Sequence, residues 1–429
     1  MRSLELLPGS AAQLAALPAD PALDILPVRP NSLALAEETH WIVTAEAGGE
    51  LLTSLNRLSL GAVAIDTEYR FTRPPTTLKR SKRWYDPRTL TPLILSGAAW
   101  DADSDHIIRF AVDLREPDTH GFVRNLLKLH APIVAHNIAA EMKTFWAMGL
   151  DPVLPQAFDT WVAAKLLTMG RGHRQIKLLS QAQAAEDLDA KEEAETALVG
   201  LMSLTGQCEV YGLDHPFAGA KTALQESFLT YPVERAFTDQ QIRYAVADAE
   251  ATLRLYLAQQ GDLIRAGLLH HLLEVETPYA IANARMEYIG VAIGNEKLTA
   301  LHAGLVRAVD HHRTVLRDAG LENPASSNQV KAFLIAGGYE DRLKRRGKVT
   351  TRDEVLEQLE ASEPLVTDIR RHRRYARMLS DPLFDGDALF GSDGRVHPEH
   401  RHLGAATGRS SCSAPNLLGL TKTFRPIVV

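Results

Sequence analysis

The segment Gly61-Ala-Val-Ala-Ile-Asp66-Thr-Glu68-Tyr69 constrains this chain more than any other. Its small and branched apolar residues do not alternate with polar ones, which predicts a strand over 61–66 that is buried on both faces. Side chains in a strand repeat their direction every two residues, so Asp66 and Glu68 are expected to leave the strand's end on one face. Two carboxylates held that close repel each other unless a cation lies between them, and a divalent metal with oxygen ligands is the economical solution. Alone, an acid-x-acid pair is a weak signal, common by chance as two solvated charges at a strand-to-loop exit, and the rest of the chain decides.

The neighbouring patterns predict what surrounds this strand. Pro92–Trp100 and Ile107–Val112 have the composition of further strands, Gly121–His130 of a helix, and Pro132–Ala135 of a short buried strand. Strands first and a strand–helix alternation afterwards predict an α/β fold, a mixed sheet flanked by helices. From 136 to about 260 the pattern is mostly helical, with the acidic run Glu186–Glu193 expected as a solvated helix face. Residues 1–37, rich in Leu, Ala and Pro, are expected to be a loose lead-in to a first domain over 38–265. A second, mainly helical domain is expected over 266–429, beginning with helices at 268–289 and 295–318.

The charge is unevenly divided. The net charge is -6, yet residues 321–429 hold 17 Lys and Arg against 14 Asp and Glu, leaving the acidic excess in the part with the acid-x-acid pair. Such a division suits an enzyme that binds metal with one part and a polyanion with another. No run of eighteen apolar residues occurs, the N-terminus lacks a signal peptide's apolar core, and Cys208 and Cys412 have no ligand spacing. The expectation is no membrane span and a reducing, cytoplasmic compartment.

Three later segments are candidates to join Asp66 and Glu68. His136-Asn137-Ile-Ala-Ala-Glu141 follows the short strand directly, placing Glu141 in the first turn of a helix, with Asn137 a possible cap of that helix. Asp159 precedes a helical pattern and is explained by capping alone. Thr238-Asp-Gln-Gln241 is a capping-box pattern, and Tyr244 and Asp248 follow it at i, i+4 on one helical face. His136 is as compatible with packing as with a place in the site. The loop Lys79-Arg80-Ser-Lys82-Arg83-Trp84-Tyr85 pairs cations for phosphate with rings for base stacking, or is a solvated loop tip.

In order, Asp-x-Glu on a first strand, Asn-x-x-x-acid after a later one and Tyr-x-x-x-Asp in a helix resemble the tyrosine-containing branch of the DEDD 3′–5′ exonucleases. This family includes the proofreading domains of family A DNA polymerases, and also ribonuclease D. The resemblance implies a ribonuclease H-like domain that hydrolyses phosphodiesters with two divalent metal ions, Mg²⁺ or Mn²⁺. It implies Asp66, Glu68, Glu141 and Asp248 as ligands and Tyr244 as the residue that positions water. Glu141 stands where the family commonly has Asp. Asn137 and the basic loop would touch a single-stranded 3′ end.

The last third resembles the thumb of a family A polymerase and the start of its palm. Leu272–Pro278, Ala284-Arg-Met-Glu-Tyr-Ile-Gly290 and Asn323–Leu334 carry the first part of that likeness. Thr407-Gly-Arg409-Ser-Ser with Pro415-Asn416 is similar to the segment by which these enzymes touch primer–template. The resemblance implies duplex contacts by Thr407, Arg409 and Asn416. The basic run 370–377 has the charge to follow a duplex backbone, through Arg370, Arg373, Arg374 and Arg377. Phe424–Val429 resembles the approach to the first catalytic palm strand, so the fingers and palm carboxylates are not in this sequence. The expected activity is therefore 3′–5′ exonuclease, with polymerisation requiring a second polypeptide that carries the remaining palm and fingers. A DNA-binding subunit and an RNA-trimming exonuclease are the alternatives.

Overall fold

The computed structural model describes residues 39–429 except 74, 79–81, 169–201, 346, 385–388 and 406, so the expected lead-in and the acidic run 186–193 lie outside the described residues. Its centre is a six-stranded sheet built from β1 (Thr39–Ile42), β2 (Leu60–Phe71), β5 (Leu90–Asp101), β6 (His106–Asp113), β7 (Ile133–Ala135) and β8 (Ala157–Asp159). The spatial order is β1-β6-β5-β2-β7-β8. β2, β5 and β6 are antiparallel neighbours, whereas β7 and β8 extend the other side of β2 in parallel, and β1 runs parallel to β6. The chain thus builds outward from β2 in one direction and then crosses to build in the other. In open sheets such a switch of direction leaves a crevice at the strand ends, where ligands bind.

The apolar run behaves as its composition demands. Ala62, Val63, Ala64 and Ile65 are fully buried. Gly97 on β5 has a packing reason as well: a Cβ there would lie 2.0 Å from the Phe110 ring, which crosses the strand at that point. The structure corrects one expectation about β2. The strand does not end near Asp66 but continues to Phe71, so Asp66 and Glu68 stand inside it, opposite Ser96 and Ile94. What ends is its neighbour, because pairing with β7 stops at Ala64 and leaves the acidic residues beyond that edge. Further elements were not anticipated: β1, the edge strand β8, and the helix α1 (Ala45–Leu55), whose N-terminus Thr44 caps by accepting from Ala47 N. The helix expected over 121–130 is shorter, α2 (His120–Leu126). The basic loop holds a two-stranded antiparallel ribbon, β3 (Thr76–Leu78) with β4 (Lys82–Trp84).

Helices then cover the sheet: α3 (Ala139–Ala147), α4 (Thr160–Thr168), α5 (Leu204–Val210), α6 (Lys221–Leu229) and the long α7 (Asp239–Arg265). α7 starts at the capping box of Thr238 and Gln241, with both reciprocal bonds made. Small buried residues, Ala245 and Ala249 among them, let it lie close over the sheet. Ser96 Oγ donates to Ala245 O at 2.7 Å, tying the helix to β5 opposite Asp66. A second tie is ionic: Arg109 on β6 meets Glu250 with Nε–Oε2 2.5 Å and Nη2–Oε1 2.7 Å, and Arg254 joins the same carboxylate.

The remaining chain is mainly helical. A π-turn at Leu272–Glu276 leads into α8 (Thr277–Ile289), which packs on α3 and contributes Ala280 and Ala284 to the core under the sheet. α9 (Asn295–Asp318), α10 (Ser327–Ala336), α11 (Asp353–Glu357) and α12 (Leu365–Leu379) follow. Leu316, Val330, Leu334, Leu356, Val366 and Ile369 form a separate core among them. Among the described residues, no helix is long and apolar enough to cross a membrane.

The Arg109–Glu250 tie makes a stability prediction. Burial pushes the Glu250 carboxyl up, but the guanidiniums of Arg109 and Arg254 more than offset it and hold it below the usual range. Arg109→Met leaves a buried carboxylate half-paired and should cost about 3 kcal/mol in denaturant unfolding at pH 7. A group with a depressed native pKa loses its contribution as pH falls, so the difference from wild type should shrink below the carboxylate range.

Candidate metal centre

Two helices converge beside β2. Asp66 and Glu68 come from β2, Glu141 from the first turn of α3, and Tyr244 and Asp248 from α7. One ligand oxygen from each of Asp66, Glu68 and Asp248 lies within 4.8 Å of those of the other two. These residues line a cavity of about 330 Å³ together with Glu141, Tyr244 and Asn137. Glu68, Glu141, Asp248 and Tyr244 are buried, and Asp66 is partly so. Glu141 is not one of the close trio. Its Oε1 lies 3.5 Å from Thr67 Oγ1, while its Oε2 is buried with no hydrogen-bond partner among the described residues.

Electrostatics follow from this crowding. Burial, then the charge of Asp66, pushes the Glu141 carboxyl well above the usual carboxylate range. Burial likewise raises the Tyr244 phenol, with Asp248, Glu68 and Asp66 adding to it, so the hydroxyl keeps its proton and donates to Asp248. A metal ion would reverse the sign of the local field and favour the charged carboxylates.

The turn that presents Glu141 is set by Asp159, not by a cap from Asn137. Asp159, at the end of β8, accepts from Asn137 N and Ile138 N at 3.0 Å each, and also from Trp161 N and Val162 N at the start of α4. The α3 N-cap is Ile138, without a side-chain bond. Asn137 takes a positive φ of 73°, a conformation Asn tolerates better than most residues, and its side chain lines the cavity. His136 bonds Thr160 Oγ1 and Met202 O through its two ring nitrogens, a packing role at the cavity wall.

The other expected site residues are not gathered here. Lys79 and Arg80 lie outside the described residues, while Lys82, Arg83 and Trp84 form β4 of the ribbon. Arg370 and Arg373 correct the sequence reading, because both are turned inward. Arg370 bonds Asp353, Glu357 and Glu360, and Arg373 donates to Pro324 O and Thr351 O. The acidic spacing 353, 357, 360 is a helical stripe that could have flagged this pairing. Arg374 and Arg377 remain exposed, as do Thr407, Arg409 and Asn416, away from the metal cavity.

A second pocket of about 410 Å³ adjoins the cavity and shares Tyr69, Asn137, Ala140, Trp161 and Leu229 with it. Its far wall is the segment 397–402, which Glu287 on α8 fastens in place. The Glu287 carboxylate pairs with Lys143 and accepts from His400 N, and its carbonyl bonds His397 Nδ1 at 2.7 Å. Sequence reasoning missed this clasp, and it missed His215, whose Nε2 lies 2.6 Å from Asp248 Oδ1. No spacing rule links residues 33 positions apart in different elements.

Comparison with known proteins gives the family. The model for DNA polymerase family A matches residues 296–423. DNA polymerase I of Chloroflexus aurantiacus is 30% identical over 298 residues, 67% of this chain and 28% of that protein. This chain belongs to DNA polymerase family A. The family's thermostable DNA polymerase I from Thermus aquaticus is 28% identical over 62% of this chain and 33% of its own length. DNA polymerase I of Aquifex aeolicus is 23% identical over 74% of this chain and 51% of its own. The chain thus spans about half or less of these curated family A relatives. Among solved structures, the POL domain of Pol1 from M. smegmatis, in complex with DNA primer-template and dNTP, overlays 91% of this chain and 57% of its own with a TM-score of 0.60. At 19% identity that likeness speaks to the fold alone.

The raised Glu141 carboxyl makes a prediction for the metal-free chain. The folded state holds a proton that the unfolded chain releases in the ordinary carboxylate range, so stability should fall as pH rises above that range. Glu141→Gln removes the titrating group and with it this proton uptake on folding. In EDTA at pH 7 it should melt a few degrees above wild type, with a flatter dependence on pH, as followed by circular dichroism.

Proposed function

We propose that the sheet-centred part of this chain, about 38–265, is a ribonuclease H-like 3′–5′ exonuclease acting on DNA. The observation that carries this reading is the convergence of Asp66, Glu68, Glu141 and Asp248, with Tyr244, in one cavity at the switch point of the sheet. The donor set is all oxygen, and Glu141 adds a buried Oε2 without a hydrogen-bond partner among the described residues. Such a set fits hard divalent cations, Mg²⁺ or Mn²⁺. Asp66, Glu68 and Asp248 would hold one ion, and Asp66 with Glu141 the second. Two ions there would activate water and stabilise the charge developing on the leaving 3′ oxygen.

The side chains around that chemistry have distinct tasks. Tyr244, kept protonated by burial and by its carboxylate neighbours, orients the attacking water and does not serve as the base. Asn137 and Trp161 line both the metal cavity and the adjoining pocket, so a polar amide and an aromatic face flank the route of a single strand. Lys82, Arg83 and Trp84 of the ribbon are proposed to hold the strand further out.

Residues 266–429 are proposed to be the thumb and the start of the palm, gripping primer–template through Arg374, Arg377, Thr407, Arg409 and Asn416. The names of the relatives favour DNA over RNA as substrate. A second reading, a DNA-binding subunit completed by another polypeptide, draws on the family match, which falls at 296–423 and wholly outside the metal cavity.

A single-stranded DNA labelled at its 5′ end tests the nuclease reading. The wild-type chain should shorten it from the 3′ end in Mg²⁺ or Mn²⁺ and not in EDTA. Asp66→Ala should lower the rate by more than ~100-fold, beyond the effect usual for residues behind the ligands. Equal degradation by Asp66→Ala would place the activity elsewhere.

A further inference from the structure

The turn after α5 reaches across to α7 at the metal cavity. His215 Nε2 lies 2.6 Å from Asp248 Oδ1, and the two side chains are 2% and 5% exposed. Phe217 N donates to His215 Nδ1 at 3.3 Å. A neutral imidazole has one donor and one acceptor nitrogen, so this bond makes Nδ1 the acceptor and leaves the proton on Nε2, facing the carboxylate. Pro216 restricts the backbone between the two contacts. The Phe217 ring meets Tyr244 edge-on, with centroids 5.9 Å apart. One short turn therefore touches both members of the Tyr-x-x-x-Asp pair.

This placement differs from that of a ligand. The group of ligand atoms within 4.8 Å of one another comprises Asp66, Glu68 and Asp248 and does not include His215. With Nδ1 turned to the backbone and Nε2–H turned to Asp248, His215 offers the cavity no lone pair. It does offer a directed hydrogen bond to a group that must hold one orientation. A carboxylate is free to rotate about its last torsion, which is broad for Asp, and a donor on one oxygen fixes where the other points.

We propose that His215 is a positioning residue for the metal centre: its Nε2–H fixes one oxygen of Asp248 so that the carboxylate is presented to the cation shared with Asp66 and Glu68. This rests on the metal reading of the cavity given above. Partners behind a ligand typically change metal affinity by about 10–100-fold when removed.

The test uses the full chain and Mn²⁺ alone, with affinity measured by titration calorimetry and folding followed in parallel by thermal melting without metal. His215→Ala should bind Mn²⁺ at least ~10-fold more weakly than wild type, and His215→Gln, which keeps a donor amide, should recover most of that loss. Should His215→Ala fail to fold, His215→Gln and His215→Met, similar in volume with and without a donor, provide the same comparison. Mn²⁺ affinity equal to wild type in the variant without a donor would overturn the proposal. So would a Gln variant as weak as the donor-free one, which would assign the effect to packing. A wild-type chain that takes up no Mn²⁺ would overturn the metal reading itself, and the positioning role with it.

Discussion

Mutual repulsion among carboxylates at one point of the sheet is the constraint to which the surrounding structure answers. Asp66, Glu68 and Asp248 present oxygens within 4.8 Å of one another, and Glu141 is buried beside them. Holding like charges so close in a partly dry cavity is unfavourable by several kcal/mol at the effective dielectric of a protein surface. The arrangement therefore needs rigid supports on every side. β2 supplies one through its long antiparallel pairing with β5, and α7 is bound down by Ser96 and by the Arg109–Glu250 ion pair. Asp159 supplies another by gathering four backbone N–H groups, which sets the turn that aims Glu141. Clustering of this kind is favourable once divalent cations occupy it, which is why the cavity is interpreted as a metal centre.

The helical remainder is not simply appended to this centre. α8 packs on α3, and its Ala280 and Ala284 enter the same core as β2 and β7. Glu287 holds the segment 397–402 against the second pocket, so a stretch inside the family match forms a wall next to the acidic cavity. The cleft between sheet and helices consequently has walls from both parts of the chain. On the proposed reading, a single strand would lie along aromatic and amide groups before its end reached the carboxylates.

Much of the sheet was legible because its strands are unusually uniform in composition, and the 61–66 run in particular leaves no alternative to burial. The α7 start was equally legible, since a capping box is a local signal that tertiary packing did not override. What could not be read was anything that depends on where neighbours end. The length of β7 decides that Asp66 and Glu68 stand at an open edge though β2 itself continues. Arg370 and Arg373 show the converse failure: basic side chains were counted as surface charge, yet partners on α11 and on adjacent loops turn them inward. His215 and Glu287 lie far in sequence from what they touch, so no periodicity announces them.

The central claim is that this cluster of carboxylates is a binding site for divalent metal. Anomalous diffraction from crystals of the chain grown with Mn²⁺ tests it most directly. Two anomalous peaks are expected beside β2, one among Asp66, Glu68 and Asp248 and one between Asp66 and Glu141. Ordered side chains there with no anomalous density at saturating Mn²⁺, or peaks confined to surface carboxylates elsewhere, would contradict it.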